Sequence, residues 1–141
     1  MKIQNKRFVY LISPTKISGN NFFKSLELVF KSKKVSFFQL RLKNEKLSKK
    51  IIISKKIIKI CRKYGVKFLV NDNHFLALKV NADGCHLGQK DMSIIKAKKI
   101  LKNKIIGITC HNSIKLAKKA LMNGANYVAV GAFYKTKTKK V

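Results

Sequence analysis

A five-residue run, Gln39-Leu40-Arg41-Leu42-Lys43, alternates polar and apolar side chains. On an extended strand this spacing puts an amide, a guanidinium and an ammonium on one face. Taken alone, that is also the pattern of any half-exposed strand. On the inward face of a closed parallel sheet, however, two cations are costly unless an anion meets them. A diphosphate would satisfy both, with Arg41 gripping two oxygens and Lys43 acting as a point charge. A second group of candidates lies between Phe68 and Asp91. The chain carries 33 basic residues and only 5 acidic ones, yet Asp72, Asp83 and Asp91 all fall in this stretch. It reads as strand, helix, strand, so Asp72 follows one strand and Asp91 the next. If the two strands are parallel neighbours, about 4.8 Å apart, both carboxylates reach one place. There they can hold a hard cation, and Mg²⁺ is content with one or two carboxylates plus water and substrate phosphate. Read singly, each Asp is also the residue of a helix cap or a turn.

Other groups fall at strand ends too. Asn71 precedes Asp72, and its amide can bind a heterocycle edge or a phosphate. Thr109 and His111 close the run Gly107-Ile108-Thr109-Cys110-His111. His111 is a candidate acid-base group, although a lone histidine is more often structural. Thr136, Thr138 and Lys139 offer two hydroxyls and a cation after the last strand; alone, they are a basic tail. His74 and His86 have no partners that the sequence makes visible.

The elements that must position these groups follow a regular order. Strands are expected at Phe8–Ile12, Val35–Leu42, Phe68–Val70, Gly84–Leu87, Ile105–Thr109 and Tyr127–Val130. Between them run helical patterns, marked by Phe22, Leu26, Val29 and Phe30, then by Ile53, Ile57, Ile60 and Tyr64, and then by a segment at Asn73–Val80. Asp91 is expected to cap the next helix, with Ile94, Ile95, Ala97 and Leu101, and Asn112 or Ser113 the last. Strict alternation of this kind implies a parallel sheet covered by helices. There is an internal echo as well: Val80–Gly88 parallels Asn123–Gly131, with Ala82 and Ala125 43 positions apart. Even units of this length suit a (β/α)₈ barrel of the TIM type better than an open doubly wound sheet. Such a barrel needs eight strands and usually about 200 residues or more. The 141 residues are therefore expected to form one domain, an incomplete α/β barrel with about six of eight βα units.

Composition limits the partners. Of the 33 basic residues, only Arg7, Arg41 and Arg62 are arginine, and the lysines are spread along the whole chain. A nucleic-acid surface more often concentrates arginine and aromatics on one face. Most of the lysines are thus read as solvated helix faces, leaving a net charge of +28 that attracts anions such as phosphorylated small molecules. Three cysteines without metal-type spacing point to a reduced, cytoplasmic setting. No run approaches the length needed to cross a bilayer.

At these residues the chain resembles thiamine-phosphate synthase. The family has a Gln-x-Arg-x-Lys strand, an Asn-Asp strand end, an Ala-Asp-Gly-x-His-Leu-Gly-Gln-x-Asp segment, a Gly-x-Ser-x-His strand and a Thr-x-Thr-Lys loop. Here these read Gln39 to Lys43, Asn71-Asp72, Ala82 to Asp91, Gly107 to His111, and Thr136 to Lys139, in family order. The resemblance implies Mg²⁺-dependent joining of hydroxymethylpyrimidine diphosphate to thiazole phosphate, through a pyrimidine carbocation, to give thiamine phosphate and pyrophosphate. It further implies that Gln39, Arg41, Lys43, Asn71, Thr109 and Lys139 hold the pyrimidine diphosphate. Asp72 and Asp91 would bind Mg²⁺, and Thr136 and Thr138 would contact the thiazole phosphate. Arg41, Lys43 and Thr109 stand as the catalytic set, with Thr109 where the family has serine. Family members continue into strands seven and eight, so completion by a second copy or another polypeptide is an expectation of this reading. Three alternatives stay open: a non-catalytic remnant or subunit, a thiazole tautomerase using His111, and, most distant, a basic nucleic-acid-binding protein.

Overall fold

A computed structural model gives the fold, and residues 7–134 are described. Eleven elements alternate: β1 (Val9–Ile12), α1 (Asn21–Lys31), β2 (Val35–Leu40), α2 (Leu47–Tyr64), β3 (Lys67–Asn71), α3 (His74–Lys79), β4 (Gly84–Leu87), α4 (Ile94–Leu101), β5 (Ile105–Thr109), α5 (Ile114–Met122) and β6 (Tyr127–Ala129). The strands form one parallel sheet in sequential order from β1 to β6. The sheet curls until inward side chains of its first and last strands meet, the Tyr10 and Tyr127 hydroxyls lying 2.6 Å apart. This is the barrel-type α/β architecture expected.

Alternation along each strand divides the side chains between two environments. On β2, Phe38 and Leu40 enter the core against the helices, while Phe37 and Gln39 look inward. Phe38 stacks on Phe68 of β3 and meets Phe30 of α1 edge to face. All three rings are about 1% exposed, and burying a large apolar side chain of this kind stabilises by roughly 1.5–3 kcal/mol. β4 is buried along its whole length, as a central strand covered on both sides must be. The helix α2 stops where Gly65 enters the left-handed region at φ 70°, returning Val66 N–H to the Cys61 carbonyl.

Two boundaries beside the site differ from the sequence expectation. The strand β2 ends at Leu40 because the backbone leaves the ladder: Arg41 N–H donates to the Ser13 hydroxyl and Lys43 N–H to the Thr15 carbonyl. Asp91 does not cap α4. Ser93 accepts the Lys96 N–H there, and Asp91 turns back to take the Gly88 N–H. At α5 the expectation of Asn112 or Ser113 as cap is met by Ser113, which accepts from Leu116 N–H.

The internal echo has a structural cause. Asp83 and Asn126, at matching positions, each accept the N–H at the start of the preceding strand, from Phe68 and Ile106 respectively. Each also returns its own N–H to that same residue's carbonyl, while Ala82 and Ala125 close the preceding helix. Asp83 is therefore a strand-pairing residue, which separates it from the other two acids of the central stretch.

Cys61 and Cys85 are buried free thiols whose pKa burial pushes up to about 12. A thiol raised above its unfolded value of about 8.5 stabilises the fold fully below that pH. The contribution falls away as pH climbs toward the folded value. A chromogenic disulfide reagent at pH 8 should therefore label these two cysteines only after denaturant is added, and raising the pH to 9 should not open them.

Candidate active site

The inward face of the curled sheet opens at the C-terminal ends of the strands into a cavity of about 550 Å³. Gln39, Arg41, Asn71 and Thr109 line it, brought together from β2, β3, β5 and the segment after β2. Gln39 is buried at 3% exposure, and a buried amide must be hydrogen-bonded. It is: Tyr10 Oη donates to Gln39 Oε1 at 2.8 Å, and Gln39 Nε2 donates to Asn71 Oδ1 at 2.5 Å. Asn71 Nδ2 in turn donates to Asp72 Oδ2 at 2.6 Å.

Ser13 sets the direction of Arg41. Its own N–H is held by the Gln39 carbonyl, while its hydroxyl accepts from Arg41 N–H at 2.8 Å and donates to the Pro14 carbonyl. Lys43 is exposed and is not part of the cavity wall.

The two carboxylates leave neighbouring strands. β3 and β4 are paired, and Asp72 N–H extends the ladder by one step onto the His86 carbonyl. Asp72 sits at φ 60°, a conformation uncommon for a residue with a Cβ, which turns the chain sharply out of β3. Asp91 is fixed by Gly88 N–H, which it accepts at 2.6 Å. Both carboxylates act on the thiol of Cys85 between them: after burial, their negative charges are the next causes of its raised pKa. Two hard oxygen donors on adjoining strand exits suit Mg²⁺, which uses one or two carboxylates and leaves other positions to water and phosphate.

His86 is where the sequence reading fell short. It is buried at 6% exposure, with Nδ1 2.8 Å from the Tyr127 hydroxyl and Nε2 2.8 Å from Thr109 Oγ1. Its ring stacks on Tyr127, which also meets Tyr10 and Phe37. Burial pushes the Tyr10 phenol up to about 12, against a smaller opposing effect of its bond to Tyr127, and drives Tyr127 higher still. Both phenols remain protonated at neutral pH. Gln89, of the Gly-Gln-x-Asp run, donates to the Thr109 carbonyl and so ties the β4 exit to that of β5. His111, at φ 50°, lends its carbonyl to Gly131 N–H and is not part of the cavity wall. Thr136, Thr138 and Lys139 lie outside the described residues.

The site can be set against known proteins. Residues 9–141 match the thiamine monophosphate synthase family. The chain belongs to that family. It is 69% identical over 137 residues to the thiamine-phosphate synthase of Pelagibacter ubique, covering 97% of this chain and 66% of that protein. A thiamine-phosphate synthase of Clostridium acetobutylicum is 41% identical, with 93% and 62% covered. Among solved structures, a thiamine phosphate pyrophosphorylase from Pyrococcus furiosus superposes with a TM-score of 0.81 at 31% identity. That match covers 94% of this chain and 64% of the other. The chain thus spans about half to two thirds of the length of the curated relatives it matches. As a thiamine monophosphate synthase family member, it keeps its inward polar residues on the strand ends where barrel enzymes place their sites. No helix among the described residues is long and apolar enough to cross a membrane.

Proposed function

We propose that this chain acts in thiamine biosynthesis, joining 4-amino-2-methyl-5-(diphosphooxymethyl)pyrimidine to 4-methyl-5-(2-phosphoethyl)thiazole to give thiamine phosphate and pyrophosphate. The observation that carries this reading is the cavity wall of Gln39, Arg41, Asn71 and Thr109, with Asp72 and Asp91 on two adjoining strand exits. Gln39 and Asn71 would bind and orient the pyrimidine end. Arg41, held at its backbone by Ser13, would grip the diphosphate bidentately, and Lys43 would add charge from the rim. Asp72 and Asp91 would hold Mg²⁺, whose contribution when bound is to offset the negative charge that collects on pyrophosphate as it leaves. Thr109 would contact the pyrimidine diphosphate across the cavity. Lys139 would join the diphosphate contacts, and Thr136 and Thr138 would take the thiazole phosphate.

Bond changes follow from those roles. The bond between the pyrimidine methylene and the diphosphate oxygen breaks with its electron pair going to oxygen. The electron-rich aminopyrimidine bears the positive charge until the thiazole nitrogen donates its pair to the methylene carbon. No covalent enzyme intermediate is needed; positioning and preorganised charge do the work.

The test is formation of thiamine phosphate from the two phosphorylated substrates with and without Mg²⁺. Product that requires Mg²⁺ is the expected result. Product formed equally well in a chelator would remove the role assigned to Asp72 and Asp91, and absence of product under both conditions would count against the synthase reading itself.

A further inference from the structure

The hydrogen bonds inside the cavity run in one direction, and that direction can be worked out from the acidic end. An ionised carboxylate only accepts, so Asn71 must turn Nδ2 toward Asp72. Asn71 Oδ1 then faces Gln39 and needs a donor, which fixes Gln39 Nε2 on that side. Gln39 Oε1 is left for Tyr10, whose hydroxyl must donate. A phenol has a single hydrogen. With that of Tyr10 already given, Tyr127 supplies the hydrogen across the 2.6 Å between the two phenols. With that of Tyr127 given, His86 Nδ1 must be the donor at 2.8 Å. In a neutral imidazole the other nitrogen accepts, so Thr109 gives its hydroxyl hydrogen to His86 Nε2.

We propose that this one-way chain makes His86, Tyr127 and Tyr10 positioning residues, which fix Thr109 as an acceptor and Gln39 and Asn71 as donors toward the bound ligand. Having spent its hydrogen on His86, Thr109 shows the cavity its lone pairs. Each amide has given one N–H within the chain and keeps a second for the ligand. The matching ligand offers a donor to Thr109 and acceptors to the amides, as an aminopyrimidine bearing phosphate does. That identity rests on the function proposed above, whereas the direction of the chain rests on the hydrogen-bond geometry together with an ionised Asp72 and a neutral His86.

Breaking the chain at two points has different consequences. In Tyr127→Phe, the imidazole Nδ1–H loses its acceptor. Moving the proton to Nε2 restores a bond by donating to Thr109, whose own hydrogen then swings toward the cavity, turning an acceptor into a donor. In Tyr10→Phe, the bond from His86 to Tyr127 is kept, while Tyr127 loses the acceptor of its hydrogen and Gln39 loses its donor and can turn its amide over.

The tautomer is measurable by ¹⁵N NMR of the whole chain with labelled histidine, since there are three histidines and His86→Gln identifies the signal of interest. The expected wild-type state is a neutral ring with the proton on Nδ1. Tyr127→Phe should move it to Nε2 and lower kcat/KM for the pyrimidine diphosphate at least about tenfold. Tyr10→Phe should leave the tautomer in place while raising KM. A wild-type ring protonated on Nε2, or on both nitrogens, would overturn the proposal. So would a Tyr127→Phe variant that folds with its tautomer unchanged, which is what packing alone would give. Because the tautomer is read without turnover, an inactive chain would refute the synthase reading while leaving this one standing.

Discussion

Replacing Gly107 with alanine should destabilise the chain by about 3 kcal/mol and disable the site together, for one steric reason. Gly107 and Tyr127 are register partners on β5 and β6. A Cβ at 107 would fall within the Tyr127 ring, overlapping Cζ, Cε1 and the hydroxyl oxygen. Retreat of the ring is restricted on the sides where it packs against Tyr10, Phe37 and His86, and a shift toward its open side would push it into the cavity of the site. Overpacking costs about 1–3 kcal/mol and occasionally more, and this clash is with the rigid phenol end of an aromatic ring rather than with a flexible chain end. Urea unfolding would show the loss as a lower midpoint at unchanged slope. The double variant Gly107→Ala/Tyr127→Leu should recover part of it, because the methyl then occupies space the ring has vacated; simple additivity of the two changes would argue against the stated cause. An unchanged midpoint in Gly107→Ala would mean that the interior yields more easily than its packing implies.

The second large effect belongs to the carboxylates. Asp72→Asn and Asp91→Asn should each lower kcat/KM at least about a hundredfold, roughly 2.7 kcal/mol of transition-state stabilisation, with little change in stability. The isosteric change is chosen for a structural reason. An amide in place of the Asp91 carboxylate would still offer an oxygen to Gly88 N–H, where Asp91→Ala would strand that donor and confuse folding with catalysis. What both amide variants lose is charge, and charge is what a hard cation requires. Measured with thermal unfolding alongside steady-state kinetics, a variant that keeps its melting temperature and loses turnover supports the metal role. One that keeps both would remove it.

How much of this could be read beforehand differed from residue to residue. Alternation of apolar runs with helical stripes was enough for the order of all the elements, because burial of each face leaves its period in the sequence. That Asp72 and Asp91 follow neighbouring parallel strands was legible for a similar reason: strict alternation of strands and helices places consecutive strands side by side. Capping was less legible. Asp91 and Ser93 are both good caps, and only the turn that gives Asp91 the Gly88 N–H decides between them. The reach of the polar face was overestimated at Lys43, because the strand ends once Ser13 and Thr15 draw the backbone aside. His86, Tyr10 and Tyr127 escaped notice because their partners are remote, the two tyrosines being 117 positions apart. One local signal did exist. An isolated glycine inside a strand marks a close approach, and Gly107 sits where the aromatic ring of the next strand crosses.

The most direct test of the account is a calorimetric titration of the chain with the pyrimidine diphosphate, performed with Mg²⁺ and again with chelator. Saturable binding that weakens by at least about thirtyfold without Mg²⁺, and by a similar factor in Asp91→Asn, is the predicted result. Equal affinity in Mg²⁺ and in chelator, or an Asp91→Asn variant that binds like the wild type, would contradict it.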